Sequence, residues 1–248
     1  MASEPLNLVR VRVDTARLLR EGLRMRLPMQ DVDLGYLLHA WLEGTFGPGV
    51  LRPFAIGDAD ARFAEVLGYS TRGEAALREH ADTFAPPELH AAADWPSLAV
   101  KAMPSAWAPG RRLGFKVTLC PTLRRSGARP TAQRGEEVDA FLAAAWREPD
   151  QPKPDREAVY LAWLRERLEG HGVALEWAGM THFQIATHLR RTQGAQRKGK
   201  PLQLPRATME GVLTVTDGAA FEALLAHGVG RHRAFGYGML LLTPPRAI

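Results

Sequence analysis

The sequence holds a single cysteine, Cys120, among 248 residues. An intrachain disulfide is therefore impossible, and so is a zinc site built on cysteines. Such thiol usage fits a reducing cytoplasm. No apolar run is long enough to span a bilayer, and the opening Met1-Ala-Ser-Glu-Pro-Leu lacks the charged-then-apolar layout of a secretory leader. No membrane partner is expected. Acidic residues are missing from three stretches: Trp95–Gly135, Trp177–Met209 and Ala223 to the end. The first carries Arg111, Arg112, Arg124 and Arg125; the second Arg190, Arg191, Arg197, Lys198 and Lys200; the third Arg231 and Arg233. The net charge is only +5, but sorting the signs into separate blocks makes basic faces, the electrostatic footprint of a polyanion partner.

A metal centre has little to work with. His182 and His188 share a strand face at too wide a spacing to chelate, and His80 and His90 flank a Pro-Pro turn without a carboxylate cluster. No metal and no cofactor is expected.

Hydrophobic periodicity supplies the architecture. Leu8–Val13 alternates valine with arginine and reads as a strand; Asp14-Thr15 caps a helix over Ala16–Met25. A second helix spans Leu34–Glu43 and stops at Gly44; Val50–Ile56 reads as a strand, and Ala59–Phe84 as largely helical. Ser97–Met103 and Leu113–Leu119 read as strands, Arg124–Gly135 as a linker, and Glu136–Trp146 as a helix. Asp155 caps an amphipathic helix ending near Leu168. Strand Thr181–Leu189, a basic hairpin loop Arg190–Pro201, strand Met209–Val215, a helix Ala219–His227 capped by Asp217, and a last strand Gly238–Thr243 complete the chain. Two β-α-β-type halves predict an α+β fold of tandem ferredoxin-like (RRM-like) domains with helical insertions. The expected division is residues 1–123, a linker or insertion over 124–154, and residues 155–248.

The segment Gly228-Val-Gly-Arg-His-Arg-Ala-Phe-Gly-Tyr-Gly-Met239 contains a G-x-G pattern in the wrong setting for a dinucleotide fold, because a helix precedes it and a strand follows. Glycines Gly228, Gly230, Gly236 and Gly238 allow close backbone approach to a ligand, and Arg231 and Arg233 supply charge for phosphates. A tight helix-to-strand turn with incidental arginines is the plainer alternative.

This segment resembles the glycine-rich C-terminal loop of CRISPR repeat-processing endoribonucleases, with closer similarity to the CasE branch of type I-E systems. Met209-Glu-Gly-Val-Leu-Thr-Val-Thr-Asp217 is similar to that branch's F-E-G-x-L-x-V-x-D pattern, with methionine in first place. Ala158-Val-Tyr-Leu-Ala-Trp-Leu-Arg-Glu-Arg-Leu168 resembles its A-x-W-L-x-x-(K/R)-L helix, and Phe115-Lys-Val-Thr-Leu-Cys-Pro121 its F-R-L-x-A-N-P. The family also carries an early Y-x-x-H, matched here by Tyr36-Leu-Leu-His39.

The resemblance implies a metal-independent endoribonuclease that binds the hairpin of a CRISPR repeat RNA and cuts precursor crRNA at its 3′ side. The products would be a 2′,3′-cyclic phosphate and a 5′-OH, with the mature crRNA retained and other subunits of a multi-subunit CRISPR effector complex as partners. It implies His39 as the proton-transfer residue and Tyr36 as its helper. Residues i and i+3 share a helix face, and an imidazole can take the 2′-OH proton or protonate the leaving oxygen. Arg24, Arg26 and the loop Arg190–Lys200 are candidates for the cation that stabilises the phosphorane. Arg111, Arg112, Arg124, Arg125, Arg231 and Arg233 are candidates for stem and strand phosphates. A type IV processing subunit would share much of this pattern, with arginines in place of histidine in the chemistry. Two other readings stay open: a repeat-RNA-binding subunit that does not cut, and a ferredoxin-like hydrolase of small phosphates.

Overall fold

The computed structural model describes residues 5–24, 34–124, 137–147, 150, 152–191 and 199–245, with side chains described except at 188–191 and 199–201. The first unit runs β1 (Asn7–Asp14), α1 (Thr15–Arg24), α2 (Leu34–Phe46), β2 (Phe54–Ala59), β3 (Phe63–Ser70), α3 (Glu74–Phe84), α4 (Pro87–His90) and β4 (Ala93–Ala102). Its antiparallel sheet has the order β2-β3-β1-β4. The alternation in β1 does what it promises: Val9, Val11 and Val13 are buried against Leu38, Trp41 and Phe46 of α2 and Leu18 of α1, while Arg10 is exposed on the other face.

The second unit repeats the same topology. It runs β5 (Arg112–Leu119), an inserted hairpin β6 (Thr122–Arg124) and β7 (Glu137–Asp139), α5 (Ala140–Ala145), α6 (Arg156–Leu168), β8 (Val173–Arg191), β9 (Gly199–Val215), α7 (Gly218–His227) and β10 (Leu241–Thr243). The order β10-β5-β9-β8 is again that of a ferredoxin-like sheet. Asp155 caps α6 by accepting from the Ala158 amide, and Asp217 caps α7 by accepting from that of Ala220. Tyr160, Leu164 and Leu168 of α6 and Phe221 and Leu225 of α7 bury against Phe115, Val117, Met209 and Leu213.

Two expectations shift. Residues Ala59–Phe84 are not one helical stretch, because Phe63–Ser70 is β3, paired along its whole length with β1 from Asn7↔Ser70 to Asp14↔Phe63. Ala64 and Val66 enter the core, and Asp60 Oδ1 accepts from the Arg62 and Phe63 amides at the β2–β3 turn. The polar composition of the segment hides this pairing, which is made with residues about 50 to 60 positions away. The sheets also do not follow the division at residue 123. β5, placed there in the first domain, is the first strand of the second sheet, and β6, β7 and α5 are inserted between that strand and α6. The units meet directly: Leu6, Ala55 and Tyr69 join the second core, and the buried Tyr69 hydroxyl donates to the Leu240 carbonyl at 2.9 Å.

Candidate active site

Helix α2 is built with two sides. Leu37, Leu38, Trp41, Leu42 and Phe46 are buried, which leaves Tyr36, His39 and Glu43 half-buried along another face. The glycine-rich loop closes onto that face. A 3-10 turn, Arg233–Phe235, carries the Phe235 ring over Tyr36, nearly parallel at 6.2 Å between centroids and 11° between planes. The same ring meets His39 edge-on at 5.2 Å. Both geometries are favourable for aromatic pairs. The loop and the Tyr36/His39 pair, some 200 positions apart in sequence, thus form one site.

Glycine makes the approach possible. Gly236 has φ +83°, and a Cβ there would sit 3.3–3.4 Å from Ile56 and Phe54 of β2. Gly228 has φ +78°, and its Cβ would press within 3.0 Å of Pro53 and the Gly238 carbonyl. Gly230 lies against the Trp163 ring of α6, and the Gly238 amide donates to the Thr118 carbonyl. The loop is therefore wedged between the two units.

The electrostatics favour an uncharged imidazole. Burial lowers the proton affinity of His39; Glu43, whose Oε1 is 3.8 Å from Nδ1, raises it, and the positive charge of Arg52 lowers it further. Glu43 is itself fixed by the Gly49 amide, which donates at 2.9 Å. Burial is also the largest cause of depressed proton affinity at His227 and Arg233, and Arg52 adds to both. Arg52 and Arg233 have no carboxylate partner among the described residues; Arg233 donates to the His227 carbonyl at 2.7 Å. Arg52 is thus close enough to act on the His39 imidazole, and the two arginines, without a carboxylate partner among the described residues, keep positive charge available for an anion. Sequence reasoning missed Arg52. The signal was present but faint: no acid falls between Glu43 and Asp58, and Arg52 sits at the end of the Gly47-Pro48-Gly49 exit from α2.

The other expected contacts fall into groups. Arg24 pairs with Glu21 at 2.9 Å and Glu88 at 3.2 Å. Arg112 pairs in bidentate fashion with Glu176, and the hydrogen bonds from Arg112 and Thr214 hold the Glu176 carboxyl down at about 2. Arg231 pairs with Glu137 at 3.0 Å. Arg111 lies over the Trp107 ring at 5.3 Å, and Arg124 is exposed at the end of β6. Arg190, Arg191 and Lys200 lie at the far end of the β8–β9 hairpin, where Arg190 faces Lys200 in register. Arg26, Arg125, Arg197 and Lys198 lie outside the described residues. Arg206, which the sequence did not single out for the site, lies 5.6 Å over the Tyr237 ring of the glycine-rich loop. No described helix is long and apolar enough to cross a membrane.

The family model described as "CRISPR associated protein" matches residues 6–244. A CRISPR-associated endoribonuclease, Cse3 of Thermus thermophilus, is 31% identical over 142 residues, which are 55% of this chain and 57% of that protein. The chain thus matches a little over half the length of this curated relative. The structure of Thermus thermophilus Cse3 bound to an RNA representing a pre-cleavage complex superposes with a TM-score of 0.60 at 20% identity, covering 97% of this chain and all of that one. Cas6e of Escherichia coli superposes with a TM-score of 0.57 at 19% identity, covering 96% and 99%. At these identities the likeness is one of fold, and the tandem ferredoxin-like arrangement is common to all three.

Proposed function

We propose, given that the chain belongs to the CRISPR-associated protein family, that it is an endoribonuclease binding a CRISPR repeat hairpin and cutting precursor crRNA at the hairpin's 3′ side. The observation that carries this reading is the closure of the glycine-rich loop on Tyr36 and His39, with Arg52 near enough to act on His39 and on the loop's Arg233.

Glu43 beside Nδ1 favours the tautomer protonated on that nitrogen, leaving the Nε2 lone pair to accept the 2′-OH proton. The 2′-oxygen attacks the adjacent phosphorus in line, forming the 2′-O–P bond as the P–O5′ bond breaks. The products are a 2′,3′-cyclic phosphate and a 5′-oxygen, which takes up a proton to become 5′-OH. Tyr36, held parallel to Phe235, orients His39 and the nucleotide or assists that second transfer. Arg52 and Arg233 face the charge that grows on the phosphorane oxygens. The retained product and the other subunits of an effector complex follow from the family resemblance.

The test is a repeat hairpin incubated in EDTA, beside the same RNA with one 2′-deoxy at the scissile nucleotide. Cleavage of the first alone, with a cyclic phosphate end, is the expected result. Binding without cleavage of either RNA would instead establish a non-cutting RNA-binding subunit.

A further inference from the structure

His232 stands where the backbone asks for glycine. Its φ of +60° and ψ of +23° are left-handed, and it is the one non-glycine residue with positive φ among the described residues. The glycines around it in the loop occupy that region without steric cost; a side chain here has to be held by its contacts.

Those contacts are specific. His232 Nε2 lies 2.6 Å from Glu137 Oε2, and the same carboxylate takes Arg231 at 3.0 Å through its other oxygen. Glu137 is nearly buried, with its side chain 12% exposed. It projects from β7, a strand whose other end is fastened firmly. There the Asp139 carboxylate accepts from the Phe141 amide, from Arg156 at 2.8 Å and from the Tyr160 hydroxyl at 2.8 Å. On its far side the His232 ring faces Phe235 at 6.3 Å and Tyr237 at 6.4 Å. The Phe235 amide closes the turn by donating to the His232 carbonyl. Phe235 in turn lies on Tyr36 and His39.

A continuous run of contacts therefore leads from the inserted hairpin of the second unit, through Glu137, His232 and Phe235, to the face of α2 in the first. We infer that Glu137 and His232 are positioning residues: they fix the 3-10 turn so that Phe235 presses on Tyr36 and His39, and so set the geometry of the cleavage site. This rests on the nuclease reading above and adds a role for the insertion, which the sequence presented as a linker.

His232→Gly separates positioning from folding, because glycine accepts the left-handed backbone while removing the imidazole. The full-length variant should unfold at the wild-type temperature or higher. At saturating repeat hairpin it should cut at least tenfold more slowly, with hairpin affinity within twofold of wild type. Glu137→Gln, which also releases Arg231, should show the same fall in the saturating rate, and the double variant should be no slower than either single one, as expected of residues acting through one contact. A wild-type saturating rate in His232→Gly overturns the inference, as does a fall confined to affinity. A second readout needs no catalysis. In NMR spectra the imidazole protons of His39 should lose their ring-current shift from Phe235 in His232→Gly; an unchanged shift overturns the positioning role even in a chain that cuts no RNA. Failure of the nuclease reading alone would leave that spectral change intact.

Discussion

His39 combines two properties that a proton acceptor needs. It is half-buried, so its neutral form is favoured, and it keeps one ring nitrogen oriented by Glu43. A base of this kind is active when unprotonated. Cleavage measured as kcat/KM should therefore fall as pH drops through the His39 pKa and be level above it, with a midpoint below the ordinary histidine value of about 6.5. The two flanking charges act with opposite sign. Glu43→Gln removes the charge that raises the pKa and should move the midpoint lower. Arg52→Ala removes one that lowers it, so its midpoint should rise while its plateau rate drops. A common midpoint in all three proteins, read from pH–rate profiles, would show that His39 is not the titrating group. The Tyr36–His39 pair was legible in the sequence because both residues stand at helical spacing in a motif of a known family. Arg52 was not, because its closeness to His39 depends on the path of the chain after α2 and leaves no local pattern.

At the scale of elements, the inserted hairpin is anchored by one carboxylate. Asp139 is nearly buried and satisfies the Phe141 amide, the Arg156 guanidinium and the Tyr160 hydroxyl together. Arg156 also lies between the Phe141 and Phe183 rings, at 3.8 and 4.4 Å. Removing the carboxylate strands a partly buried cation and a hydroxyl, which costs about 3 kcal/mol. Asp139→Ala should thus lower the melting temperature by roughly 6–12 °C, where a surface control such as Asp150→Ala moves it by about 1 °C or less. Calorimetry checks this. The helices α6 and α7 could be read from their caps and apolar spacing, since both signals are local. β3 could not, because it is specified by the strand it pairs with rather than by its own composition. The sheet to which β5 belongs is hidden for a similar reason: β5 alternates as any strand would, and only its pairing with β9 and β10 says which sheet owns it.

Over the whole molecule, the acid-free stretches pointed to a polyanion, and the structure sorts their arginines by what already holds them. Arg112 and Arg231 are neutralised by Glu176 and Glu137, whereas Arg233 has no carboxylate beside it among the described residues. Only a cation free to meet phosphate releases counter-ions on binding RNA. Arg233→Ala should therefore flatten the dependence of log affinity on log salt by about 0.7–0.9. Arg112→Ala should change it by less than half of that. Equal changes in filter-binding titrations would show that the ion pair with Glu176 opens on RNA. Fold, family and the basic character of the chain could all be read without coordinates. The meeting of the loop with α2 could not, because it joins the last 20 residues to the first 50.

The cleavage site we propose is formed by Tyr36, His39 and the glycine-rich loop and needs no metal. Its most direct test is the single-turnover rate of repeat-hairpin cleavage in EDTA by the wild-type chain and by His39→Ala, at RNA-saturating protein. The expected result is hairpin binding preserved and a rate lowered by about 10²–10⁴-fold. A His39→Ala chain that cuts at the wild-type rate would contradict it.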